Sequence, residues 1–190
     1  MKIGLFFGSF NPIHNGHLII ANLIIQFTDI EKIWFVISPQ NPHKNKKKLL
    51  KENERLNLVN LAIEDNPKFK ASAIEFKLPK PSYTIDTLVH IKEKYPKNQF
   101  CLIMGEDNLD QLHNWKNGDI ILRDYEIYCY KRKATTNFNF KGKESIKIID
   151  FPYLDISATY IRSLIKDKKS ARYLLPDKVY NYITDYNLYK

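Results

Sequence analysis

Ile3-Gly4-Leu5-Phe6-Phe7-Gly8-Ser9-Phe10-Asn11-Pro12-Ile13-His14-Asn15-Gly16-His17-Leu18-Ile19-Ile20 is the stretch that decides how this chain folds. A short apolar run, Ile3 to Phe7, reads as a buried strand. A second apolar run from Leu18 to Ile25 reads as a buried helix. Between them lies a tight loop with two glycines and two histidines. A strand–loop–helix junction of this kind directs backbone N–H groups and the positive end of a helix dipole toward an anion. The histidines add donors suited to phosphate oxygens. Gly8 and Gly16 would ease tight turns in any such connection. Two histidines three apart could also serve a metal, but no nearby Cys/His cluster completes a tetrahedral set. The loop therefore reads as a nucleotide site with chemistry at phosphorus.

Working outward, apolar runs alternate with helical patterns. Strands are expected at Ile3–Phe7, Ile33–Ile37, Phe69–Phe76, Phe100–Met104, Glu126–Tyr130 and Ile146–Asp150. Helices are expected at Gly16–Phe27, Glu52–Asp65, Ile85–Tyr95 and Asp107–Trp115, the second started by Asn53 or by Glu52 and Glu54. This alternation implies an α/β fold: a doubly wound, mostly parallel, Rossmann-like sheet with helices on both faces. Ligands of such sheets bind at the carboxyl ends of the strands. Past Asp155 the pattern turns helical, with one helix starting at Ser157 or Thr159 and another over Leu175–Ile183. Residues 1–155 thus form an α/β core and 156–190 a small helical part, one compact domain overall.

The 190 residues are 44% hydrophobic and 13% aromatic, which argues against disorder. No apolar stretch is long enough to span a bilayer, and Ile3 to Phe7 is too short for a signal-peptide core, so neither a membrane span nor a cleaved signal is expected. Cys101 and Cys129 lie in apolar runs without C-x-x-C spacing, as expected of free thiols in a cytoplasmic protein. The net charge of +9 fits either a nucleic-acid binder or a cleft that steers small polyanions. Its densest cluster, Lys44 and Lys46 to Lys48, follows the second predicted strand.

Gly8-Ser9-Phe10-Asn11-Pro12-Ile13-His14-Asn15-Gly16-His17 resembles the signature of the H-x-G-H nucleotidyltransferase superfamily. Ile156-Ser157-Ala158-Thr159-Tyr160-Ile161-Arg162 resembles its I-S-x-T-x-x-R element, in the expected order. Pro81-Ser82-Tyr83-Thr84-Ile85-Asp86-Thr87, Met104-Gly105-Glu106-Asp107-Asn108 and the later Trp115, together with Leu175-Pro176-Asp177-Lys178-Val179-Tyr180, are similar to the bacterial nicotinate mononucleotide adenylyltransferases. Only Lys131 to Ser145 lacks a match.

The resemblance implies transfer of AMP from ATP to nicotinate mononucleotide in NAD biosynthesis, with Mg2+ carried by the ATP phosphates rather than by protein side chains. It implies that His14, His17, Lys44 and Arg162 are catalytic. Gly8, Ser9, Phe10, Gly105, Asp107, Ile156, Ser157 and Thr159 would join His14, His17 and Arg162 around ATP. Asn11, Lys44, Ser82, Tyr83, Thr84, Trp115 and Lys116 would bind the pyridine nucleotide.

Physical chemistry supports that pocket independently. Trp115 offers a platform for a pyridine ring, and backbone donors at Thr84 and around Trp115 and Lys116 favour a carboxylate over an amide. Three alternatives remain at this point: use of nicotinamide mononucleotide or of both pyridines, a phosphopantetheine adenylyltransferase, and a basic nucleic-acid-binding module. Scattered basic residues and the lack of an RNP-type aromatic motif speak against the last. The expected partners are small substrates, not nucleic acid or membrane, with a homo-oligomer open; exposed Tyr186 and Tyr189 could mark its interface.

Overall fold

The computed structural model describes residues 1–39, 49–131, 144–152 and 154–190. Six strands form one sheet: β1 (Lys2–Gly8), β2 (Lys32–Ile37), β3 (Phe69–Ser72), β4 (Gln99–Gly105), β5 (Ile127–Tyr130) and β6 (Ile146–Ile149). Their order is β3-β2-β1-β4-β5-β6, and every pairing is parallel. The doubly wound expectation is met, and "mostly parallel" becomes wholly parallel among the described strands.

Alternation along each strand splits the core into two layers. Ile33, Phe35 and Ile37 of β2 and Cys101 and Ile103 of β4 face one side. There they meet α1 (Asn15–Phe27), α2 (Glu52–Ile63), α6 (Ala158–Lys166) and α7 (Asp177–Asp185). Trp34 and Val36 of β2 and Phe100, Leu102 and Met104 of β4 face the other. Their cover is α3 (Thr84–Lys94), α4 (Glu106–Asp110) and α5 (Gly118–Asp124). Ile161, Val179 and Ile183 of the C-terminal helices lie in the first layer with Phe6 and Phe35, sharing the sheet's own core. Strand order reverses between β1 and β4, so the loop after β1 and the turn after β4 flank one crevice.

Some element boundaries differ from expectation. The strand expected over Phe69–Phe76 ends at Ser72, its last register partner being Val36, and a 3-10 turn follows over Ile74–Lys77. The turn buries Glu75, whose carboxylate serves as an acceptor for hydroxyls on the α3 side. The helix expected over Asp107–Trp115 is broken into α4 and a 3-10 turn, Leu112–Asn114. That break delivers Trp115 to the crevice, and α5, absent from the sequence reading, packs beneath it. A Cβ on Gly118 would come within 1.9 Å of the Leu112 carbonyl oxygen, so only glycine allows this approach. The start of α2 has no side-chain cap, and Lys51 rather than Asn53 is its N-cap residue, while Glu52 and Glu54 lie in the first turn near the helix dipole as expected.

Candidate active site

A cleft of about 800 Å³ opens at the carboxyl ends of β1 and β4. Its floor is the loop after β1. His14 is the N-cap residue of α1, and its backbone N–H donates to Nδ1 of His17 at 3.3 Å. The two imidazoles stack with centroids 3.7 Å apart and planes 29° from parallel. Phe10 and Phe6 back His17 edge-on at 5.1 and 5.9 Å. A neutral ring accepting at Nδ1 carries its proton on Nε2, the tautomer suited to donating to a phosphate oxygen. Phe10 holds a left-handed backbone with φ of 43° while its side chain fills the core. A Cβ on Gly8 would lie 2.8 Å from that ring, and one on Gly16 would lie 3.1 Å from His14 Nδ1. The glycines are there for close approach.

The I-S-x-T-x-x-R segment meets this loop across the chain. Arg162 on α6 donates from Nη1 to the carbonyl oxygen of Asn11 at 2.6 Å and from Nη2 to Thr159 Oγ1 at 3.2 Å. Ser157 caps α6, its Oγ accepting the N–H of Tyr160 at 3.2 Å. Ile156, Ser157, Thr159 and Arg162 all line the cleft. Asn11 is 2% exposed, and its Oδ1 accepts from Leu50 N and from Tyr189 Oη, at 3.2 and 2.9 Å. Among its described contacts it organises the loop itself.

Arg55 of α2 is a buried residue beneath the cleft that the sequence reading missed. It is 1% exposed, and its guanidinium donates to four backbone carbonyls. Nε bonds Leu50, Nη1 bonds Ser9 at 2.6 Å and Ser38 at 2.8 Å, and Nη2 bonds Pro39. Burial pulls its pKa below the usual arginine value. It fastens the loops after β1 and β2 together beneath the cleft. The signal in the sequence was an arginine inside an otherwise apolar helix face, beside Leu58, Val59 and Ala62.

The opposite wall comes from α3 and the turn after α4. Tyr83, Thr84, Trp115 and Lys116 line the cleft. Thr84 begins α3, no side chain caps that end, and the first helical bond is Thr87 N–H to the Tyr83 carbonyl. Lys116 sits 4.9 Å above the Tyr83 ring and pairs with Asp86 at 2.9 Å. Ser82 also lines the cleft, with its hydroxyl donating to Glu75 at 2.9 Å. Gly105 is buried at the end of β4 as the N-cap of α4, and it is absent from the described lining, whereas Asp107 is present. Lys44 and Lys46 to Lys48 fall within residues 40–48, outside the described residues, as does most of Lys131 to Ser145.

Among the described residues, no group of three His, Cys, Asp or Glu is placed to hold a metal ion. Cys101 and Cys129 are both buried and unpaired by disulfide, and burial pushes each thiol up to about 12. No described helix is long and apolar enough to cross a membrane.

Residues 5–164 match the cytidylyltransferase-like family. The chain is 55% identical over 179 residues to the "Probable nicotinate-nucleotide adenylyltransferase" of Cytophaga hutchinsonii, covering 94% of this chain and 93% of that one. It is 53% identical over 192 residues to the protein of the same name from Flavobacterium psychrophilum, covering 100% of each. The chain belongs to the nicotinate-nucleotide adenylyltransferase family. In fold it is similar to the Plasmodium falciparum nicotinic acid mononucleotide adenylyltransferase complexed with NaAD, with a TM-score of 0.85 at 22% identity. That likeness covers 99% of this chain and 97% of the other. The cleft of this family member is lined by segments spread from β1 to α6.

Proposed function

We propose that this chain transfers the adenylyl group of ATP to nicotinate mononucleotide, giving nicotinate adenine dinucleotide and pyrophosphate. One observation carries the reading. The Asn11 carbonyl and the Arg162 guanidinium, 151 positions apart, meet at 2.6 Å and bring both motifs into one cleft opposite the Thr84 helix terminus.

The acceptor brings its own nucleophile, since a phosphate monoester with a second pKa of about 6 is mostly dianionic at neutral pH. A phosphate oxygen attacks the α-phosphorus of ATP in line. A new phosphoanhydride bond forms there as the bond to the bridging oxygen breaks, and the electron pair leaves with pyrophosphate. No protein base is required, so catalysis rests on alignment and on stabilising developing charge. His17, with His14 beside it, donates to the α-phosphate region, and Arg162 takes charge on the departing pyrophosphate together with Lys44. Ser9 and the N-terminal turn of α1 cradle phosphate, Ser157 and Thr159 organise Arg162, and Asp107 faces adenosine, with Gly105 behind it at the start of α4. Thr84 backbone donors take the pyridine carboxylate, with Trp115 as the platform for the ring and Lys116 beside it.

Magnesium enters as the ATP complex, where it screens the polyphosphate, and no protein side chain is assigned to it. The reaction belongs to the cytoplasm and involves no nucleic acid.

Pyrophosphate release from Mg-ATP tests this, with nicotinate mononucleotide run beside nicotinamide mononucleotide and phosphopantetheine. Strong preference for the acid is expected. Equal use of both pyridines would remove the donor-lined carboxylate pocket, and silence with all three would remove the reaction.

A further inference from the structure

Glu75 is 2% exposed and lines the cleft on the side of α3. One carboxylate oxygen accepts from Ser82 Oγ at 2.9 Å, the other from Thr87 Oγ1 at 2.8 Å. These two hydroxyls bracket the N-terminal turn of α3, one just before it and one at its end. Thr87 is fully buried, and it is not among the residues lining the cleft. The terminus between them lacks a side-chain cap, so its N–H groups depend on outside support for their aim.

We infer that Glu75 is a positioning residue for the pyridine nucleotide, fixing the α3 N-terminal turn by gripping Ser82 and Thr87. The inference rests on the adenylyltransferase reading above. A buried acid is costly to keep, and burial does push this carboxyl above its ordinary range, opposed by the hydroxyls of Thr87, Ser82 and Ser38. A carboxylate presents one acceptor oxygen to each hydroxyl, and an apolar residue here would present none. Ser82, expected to bind substrate, is thereby occupied with Glu75, and its contribution to the pocket is indirect. The phosphate-binding side of the cleft is built from α1 and α6, so loosening the α3 turn changes binding of the pyridine nucleotide more than that of ATP.

Thr87→Val removes at constant shape a hydroxyl outside the cleft lining, one that bonds Glu75 at 2.8 Å and also lies 3.3 Å from the Tyr83 carbonyl oxygen; Thr87→Ser restores it. Thr87→Val is expected to raise KM for nicotinate mononucleotide about three- to tenfold, the size of one lost buried bond. KM for ATP and kcat stay within about twofold, and Thr87→Ser returns near wild type. Glu75→Leu is expected to act in the same direction and more strongly. Amide hydrogen exchange in the ligand-free protein supplies a readout independent of turnover. Residues 84–88 of Thr87→Val should exchange faster than wild type while the α1 amides do not change. Unchanged exchange with unchanged KM, or a parallel rise in both KM values, overturns the positioning role. A wild-type enzyme silent toward nicotinate mononucleotide instead overturns the substrate reading, which the exchange comparison tells apart.

Discussion

Tyr189 donates its hydroxyl to Oδ1 of Asn11 at 2.9 Å, tying the C-terminal segment to the loop that carries the histidines. Tyr189 is half-buried rather than exposed, and desolvation of its phenol raises the pKa well above the ordinary tyrosine value, so it stays a donor at any physiological pH. Asn11 in turn presents its carbonyl to Arg162. Tyr189→Phe removes only the hydroxyl. Its kcat/KM should fall about three- to tenfold, the cost of one buried bond that orients the loop. Steady-state kinetics on a variant with a wild-type circular dichroism spectrum checks this. Equal rates would mean that the Arg162 and Leu50 contacts suffice to hold Asn11.

Arg55 is the clearest case of a side chain whose loss strands several polar groups together. Its guanidinium supplies a planar fork to four carbonyls, and a lysine ammonium cannot match that geometry. Arg55→Lys should destabilise the fold by about 2–4 kcal/mol, since bonds from a charged donor are worth about 1.5–3 kcal/mol each and some are kept. Urea unfolding measures it. A change below about 0.5 kcal/mol, the size of an ordinary surface substitution, would show that the carbonyls find other donors.

The strands and the two motifs were legible because short continuous apolar runs and motif strings are local properties. Ile33, Phe35 and Ile37 against Trp34 and Val36 announce a sheet buried on both faces. Glu75, Arg55 and Tyr189 were not legible, since each acquires its role from partners brought in by the fold: a 3-10 turn where a strand was expected, two loops, and a tail. Asn11 and Ser82 were found by resemblance, and the fold adds bonds from each to a protein group, which no motif string encodes. The helix over 107–115 failed for a similar reason. Its apolar residues fit one helix, but the close packing of Gly118 on Leu112 ends it early.

His17 faces the strongest catalytic test. Stacked on His14 and backed by Phe10, it is held in one orientation before any substrate arrives. His17→Ala should lower kcat by roughly two to three powers of ten, the range for loss of one preorganised donor to developing charge. Single-turnover kinetics at saturating Mg-ATP, with the melting temperature as a control for folding, makes the comparison. A rate within about threefold of wild type would take His17 out of the mechanism.

At the far end of the sheet, Lys2 couples Asp29 to Glu126 at 2.8 and 2.6 Å, with the Tyr128 hydroxyl also bonded to Asp29. The Lys2 bond and then the Tyr128 bond lower the Asp29 carboxyl from its ordinary 3.8 to about 2. Glu126 is lowered too, first by Lys2. A carboxyl whose pKa is depressed on folding binds fewer protons in the native state. Its stabilisation is therefore present above 3.8 and is lost as pH falls toward about 2. Asp29→Asn removes the titrating group and keeps the shape. At pH 7 its urea midpoint should lie below that of wild type, and the two curves should converge as the solution is acidified through that window. Midpoints that stay parallel from pH 7 to about 2 would mean that this half-exposed pair contributes nothing to acid stability, as many surface ion pairs do not.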